Sequence, residues 1–140
     1  RLRTSQPPRP PLRAGAPLSG LGTQTHIAAD LAPGALTACL RDLASLGLPV
    51  HVSEMDVSIT RSAGLIKNRP ELELKQARLY GEAAEAFSSL PARQRFAFTH
   101  WGLRDSDSWL KRENAADTPL LFDASGRPKA AAAAWEQGLR

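Results

Sequence analysis

The chain has 140 residues, 42% of them apolar and 23% charged, the proportions of an ordinary globular domain with one modest core. Arg1, Arg3, Arg9 and Arg13 supply all of its formal charge of +4, because the remaining Lys and Arg residues balance the acids. The basic balance therefore describes a tail and argues against a domain-wide face for nucleic acid; no apolar run is long enough for a transmembrane helix, and the first residues lack the apolar core of a signal peptide.

Residues 1–17 carry Pro7, Pro8, Pro10, Pro11 and Pro17, which no helix or central strand tolerates, so this stretch reads as an extended, disordered Pro/Arg-rich lead. Pro8-x-x-Pro11-x-Arg13 matches a polyproline ligand, and the four arginines could contact phosphates. Both patterns are short, and a solvated tail or the product of a gene junction is the expected reading.

From residue 18 to residue 140 the chain alternates short strands with amphipathic helices, the pattern of βα units on a parallel sheet. The first strand is expected at Leu18–Ile27, with a helix from Pro33 to Leu46 whose buried stripe is Leu36, Leu40, Leu43 and Leu46. Cys39 shares that stripe and is expected to be a buried structural thiol; a single cysteine cannot pair within the chain.

The second strand is expected at Val50–Val57. Pro70 opens a longer helix through Ser88, with Leu72, Gln76, Leu79, Ala83 and Phe87 on its buried side. The third strand is expected at Phe96–Trp101, followed by a polar loop containing Trp109. Asp123-Ala-Ser-Gly126 reads as a turn, and Pro128–Leu139 as a last helix anchored by Trp135.

Side chains alternate across a strand, so parity predicts which residues share a face. Gly20, Gly22, Gln24 and His26 share one face of the first strand; Val50, Val52, Glu54 and Asp56 one of the second; Ala97, Thr99 and Trp101 one of the third. Each face turns polar or aromatic only at its C-terminal end, which fits a parallel barrel with a packed interior and a functional C-terminal rim. A carboxylate, an imidazole and indoles meeting there suit sugar chemistry, the carboxylate acting at an oxocarbenium-like centre and a ring packing on a pyranose. His26, His51 and Glu54 would suit zinc, but His51 has the opposite parity from Glu54, so no metal site is expected.

Gly47-Leu-Pro-Val-His-Val-Ser-Glu54-Met-Asp56-Val57 resembles the active-site signature of glycoside hydrolase family 10, the endo-β-1,4-xylanase type, where it closes the seventh barrel strand. Gly20-Leu-Gly-Thr-Gln-Thr-His26 resembles that family's sixth strand, and Trp101-Gly-Leu-Arg-Asp-Ser-Asp-Ser-Trp109 its eighth strand and following loop. Order and spacing agree, and Pro119-Leu-Leu-Phe-Asp123 before a Pro-Lys pair resembles the family's last segment.

The resemblance implies an α/β fold, a partial (β/α)8 TIM barrel made of its last three βα units, strands six to eight. It implies Glu54 as nucleophile of a retaining mechanism, His26 and Asp56 bonded around it, and Gln24, Trp101 and Trp109 lining the sugar site. It implies xylan or xylo-oligosaccharides as partner, neither nucleic acid nor membrane, no cofactor, and an exported enzyme, secreted or periplasmic. Met55 and His100 depart mildly from the family pattern on the helix-facing parity. The family's acid/base glutamate, which follows an Asn on the fourth strand, has no counterpart here. The isolated chain is accordingly expected to be inactive, and the rival reading is a non-catalytic remnant of such an enzyme.

Overall fold

A computed structural model describes residues 15, 17–62 and 68–140, so the expected lead, apart from Gly15 and Pro17, lies outside the described residues. The chain forms β1 (Leu21–Ala28), α1 (Ala35–Ala44), β2 (Val50–Ser58), α2 (Arg69–Ser88), β3 (Arg95–His100) and α3 (Ala130–Gly138). The strands make one parallel sheet in the order β1-β2-β3, as the βα alternation predicts.

Element ends differ from expectation for local reasons. Strand β1 begins at Leu21 rather than Leu18; Leu21 N donates to Pro49 O at 2.8 Å, and a proline has no N–H with which to carry the ladder further. Helix α1 begins at Ala35 because Gly34, with φ at 82°, turns the chain through the left-handed region, leaving Pro33 outside the helix. The helix lacks a capping side chain of its own. The Glu82 carboxylate of α2 serves instead, accepting from the backbone N–H groups of Gly34, Leu36 and Thr37 at 3.1, 3.0 and 3.2 Å. Strand β3 ends at His100, although Trp101 N still donates to Met55 O at 2.9 Å, and α3 spans Ala130–Gly138 rather than Pro128–Leu139.

The helices cover one face of the sheet. Leu36 and Leu40 are buried under α1, and all five residues of the expected α2 stripe are buried. Ala77, Tyr80, Ala84 and Ala86 are buried too; Ala84 faces Gly138 where α3 crosses α2, and Tyr80 donates its hydroxyl to Pro119 O at 2.7 Å. A Cβ on Gly138 would come within 2.6 Å of Gly81 O, so this crossing requires glycine. Cys39 is only half-buried, lining a narrow gap with Thr23, Thr25, Leu36 and Val52; that burial raises its thiol pKa.

The parity reading is right for β1 and β3 and wrong for β2. Register runs Thr23↔Val52 and then Gln24↔Glu54, so Ser53 is one residue in excess of its neighbour; the spacing Val52↔Phe98, Met55↔His100 records the same excess against β3. Across this bulge the alternation resets. Val50, Val52, Met55 and Val57 all lie in the core under the helices, while Glu54 and Asp56 pair with Gln24 and His26 on the opposite face. His51 is brought to that opposite face as well, within 3.1 Å of Thr99 Oγ1. His51 and Glu54 therefore share a face, contrary to their strand parity.

His100 lies in the layer between sheet and helices, ring to ring with Trp135 at 4.5 Å and Phe98 at 5.4 Å. Its Nε2 is buried without a hydrogen-bond partner, and burial lowers the imidazole pKa to about 4. Between pH 6.5 and about 4 an unfolded His100 takes up a proton that the folded one refuses, so stability is full above pH 6.5 and falls as pH drops through this window. Urea midpoints at pH 7 and pH 4.5 should differ by the equivalent of about 2–3 kcal/mol from this residue, and His100→Phe should remove that part of the difference. An unchanged pH dependence in His100→Phe would assign the acid sensitivity elsewhere.

Candidate active site

Two neighbouring parallel strands place the central groups. The register His26↔Asp56 and Gln24↔Glu54 sets an imidazole and an amide of β1 beside two carboxylates of β2, near the C-terminal ends of both strands. His26 lies between the acids, with Nδ1 2.9 Å from Asp56 Oδ2 and Nε2 3.1 Å from Glu54 Oε2. Gln24 Nε2 donates to the other Glu54 oxygen, Oε1, at 2.9 Å. Each oxygen of Glu54 is thus held by one neighbour from β1, and the side chain keeps 18% of its surface open.

Asp56 has the opposite character. Its side chain is 1% exposed, and Oδ2 accepts from Trp109 Nε1 at 2.8 Å as well as facing His26. Burial raises its carboxyl pKa, against the lowering effects of the Trp109 bond, His26 and the Arg61 charge. The two acids therefore differ in what they can do: Asp56 is buried and orients its neighbours, whereas Glu54 is accessible and fixed. A neutral imidazole that donates Nδ1–H to Asp56 presents its Nε2 lone pair to Glu54, while an imidazolium donates to both.

Trp101 and Trp109 flank His26, edge to face, with ring centroids at 6.4 and 5.5 Å. Trp101 is 44% exposed and offers an apolar plane beside His26; Trp109 is half-buried and committed through its N–H to Asp56. All six residues singled out in the sequence, Gln24, His26, Glu54, Asp56, Trp101 and Trp109, are brought to one place. Among the described residues no group of three or more His, Cys, Asp or Glu is arranged to hold a metal ion.

Two residues at this site went unnoticed in the sequence. Arg61 lays its guanidinium 4.9 Å from the centre of the Trp109 ring. Asp117 is buried and accepts from Ser58 Oγ, Ile59 N and Thr118 N, tying the loop after β2 to the loop after β3 that carries Trp109. Neither carries a spacing signal, because both act between loops far apart in sequence. The bulge at Ser53 did leave a trace: the apolar positions change parity between Val52 and Met55, which a regular strand on a single core does not do.

The family model described as glycosyl hydrolase family 10 matches residues 11–137. Exoglucanase XynX of Acetivibrio thermocellus and endo-1,4-beta-xylanase A of Thermoanaerobacterium saccharolyticum are each 37% identical over 119 residues, 84% of this chain. The chain spans 10% and 9% of the length of those relatives. Among solved structures, a mutant xylanase A of P. fluorescens subsp. cellulosa in complex with xylopentaose superposes with a TM-score of 0.78 at 26% identity, over 91% of this chain and 42% of that one.

Proposed function

The chain belongs to glycosyl hydrolase family 10, and from that premise we propose that it supplies strands six to eight of a (β/α)8 barrel and the nucleophile side of a retaining endo-β-1,4-xylanase site. The observation that carries the reading is the set Gln24–Glu54–His26–Asp56: one accessible carboxylate with both oxygens held, next to one buried carboxylate that orients the imidazole.

In this mechanism a Glu54 oxygen attacks the anomeric carbon of a xylosyl residue from the side opposite the leaving oxygen. The glycosidic C–O bond breaks, a proton from a second carboxylic acid goes to the departing sugar, and a covalent glycosyl ester on Glu54 results. Water, deprotonated by the same second group, then attacks the anomeric carbon and frees Glu54, so two inversions give net retention. Asp56 does not fit the second role, being buried and already engaged with His26 and Trp109. The second group is assigned to the part of the barrel that precedes these strands in the family, and residues 1–140 alone are expected to turn over no xylan.

Support for the partial barrel comes from the sheet. Within the described residues β1 and β3 each pair on one side only, and Phe96 of β3, whose ring meets that of His51 in β2, is 71% exposed. An exported location is part of the same proposal.

The test joins this chain, from Leu18 onward, to strands one to five of a family member and treats the product with a 2-deoxy-2-fluoro xylobioside bearing an activated leaving group. Fluorine destabilises the oxocarbenium-like transition states of both steps, and the good leaving group keeps the first step fast enough for the ester to accumulate. The adduct mass is expected on the peptide containing Glu54 and absent in Glu54→Gln. A label on Asp56, or an active enzyme that takes no label, would refute the assignment.

A further inference from the structure

Trp109 sits on a short 3-10 turn (Trp109–Arg112) in the long connection after β3, yet its indole reaches Asp56 at the end of β2. Three contacts fix its orientation. Nε1–H donates to Asp56 Oδ2 at 2.8 Å, the His26 ring meets it edge to face at 5.5 Å, and the Arg61 guanidinium lies 4.9 Å from the ring centre.

Arg61 is itself anchored at both ends. Its backbone N–H donates to Ser58 Oγ at 3.0 Å, and its Nε and Nη2 both donate to Glu113 Oε2, the first at 3.1 Å. Glu113 closes the turn that begins with Trp109. The ion pair therefore spans the loops after β2 and β3 with the indole between them. Arg61 and Glu113 are 41% and 49% exposed, and an ion pair of that exposure adds little to folding stability. A guanidinium stacked on an indole has a different consequence, because the ring face attracts the cation and the planar group limits the ring's rotation.

We propose that Arg61, anchored by Glu113, is a positioning residue that holds the Trp109 indole against Asp56 and so keeps His26 aligned with Glu54. Its catalytic consequence rests on the reading of Glu54 given above; the contact itself does not. Lysine cannot substitute fully, since an ammonium group offers no planar face to the ring and no second nitrogen to converge with the first on Glu113 Oε2. The positive charge also opposes the burial that raises the Asp56 pKa.

The experiment follows hydrogen exchange of the Trp109 indole N–H and titration of the Asp56 carboxyl by NMR in the full chain, with Trp109→Phe assigning the indole signal. Arg61→Ala is expected to speed indole exchange about tenfold and to raise the Asp56 pKa further. Arg61→Lys should leave the titration near wild type while exchange is still accelerated, separating charge from stacking. Glu113→Gln frees the anchor without removing the cation and should accelerate exchange by a smaller factor; it carries the test if Arg61→Ala does not fold. Unaltered exchange and titration in these variants would overturn the proposal. Neither readout involves sugar, so a label at Glu54 with unchanged exchange sinks the Arg61 role alone, and changed exchange without a label sinks the nucleophile alone.

Discussion

In the barrel completed with strands one to five, Glu54→Ala is expected to lower xylan hydrolysis by about four orders of magnitude or more, because no other group can form the glycosyl ester. The size follows from the geometry. Gln24 and His26 hold the two carboxylate oxygens from the neighbouring strand, so on the proposed reading the attacking atom is placed before substrate arrives, and among the described residues the neighbouring carboxylate, Asp56, is buried. Truncation also leaves a space of about one carboxylate beside the anomeric carbon. Azide should fill it and restore cleavage of an aryl xyloside, and the product reports which carboxylate was lost. With the nucleophile gone, azide attacks once from the Glu54 side and gives the inverted α-xylosyl azide. If Glu54 were the acid/base instead, the remaining nucleophile would invert first and azide second, giving the β-azide. A β-azide from Glu54→Ala would therefore reverse the roles.

The parts of this site legible in the sequence are those governed by local periodicity. Leu36 and Leu40 repeat at helical spacing and are buried, and the α2 stripe from Leu72 to Phe87 holds throughout. Gln24 and His26 share strand parity and share a face in the fold. Strand β2 is the instructive failure. Strand parity puts Glu54 and Asp56 on the correct face for a wrong reason: Val50 and Val52 have the same parity but belong to the core under the helices, and the excess residue Ser53 lies between Val52 and Glu54. Ser53 Oγ donates to Thr23 O at 3.1 Å, engaging a backbone carbonyl beside the irregular register. A bulge depends on cross-strand pairing, so alternation counted along one strand sees only its after-effect, the switch of apolar parity at Met55.

Of the groups around Trp109, His26 and Asp56 are within reach of such counting, but the loop contacts that hold its turn are not. Arg61, Glu113, Asp117 and Asp105 act through side-chain contacts between loops, with polar groups bonding backbone far away in sequence. In the sequence they are ordinary loop charges. What sets Asp105 and Asp117 apart from a solvated face is burial, and what sets the exposed Arg61 and Glu113 apart is their contact across the two loops; both arise only in the folded chain.

Asp105 shows how much such a charge can carry, and Asp105→Ala is expected to be the most destabilising single change in the loop after β3, by about 3–5 kcal/mol. Its side chain is 2% exposed; Oδ1 accepts from Leu120 N at 2.8 Å, and both oxygens face Lys129 Nζ, at 3.3 and 3.2 Å. Lys129 Nζ also donates to Thr118 O at 2.7 Å and Leu120 O at 2.8 Å, so one ammonium group gathers the chain just before α3. Burial pushes each partner toward its neutral form, raising the Asp105 pKa and lowering that of Lys129, which means the pair offsets a desolvation cost more than it adds stability. Removing one member exposes that cost: Asp105→Ala strands the ammonium and leaves Leu120 N–H unpaired. Lys129→Met strands the carboxylate instead, and because its pKa is already raised, this variant should regain stability as the solution becomes acidic, the opposite sign to His100. The double variant Asp105→Ala/Lys129→Met should lose markedly less than the sum of the two single losses in urea unfolding. Additive losses would mean that the two charges do not act as a pair. A smaller loss in Asp105→Ala than in Arg61→Ala would mean that the loop carrying Trp109 is held from its exposed side.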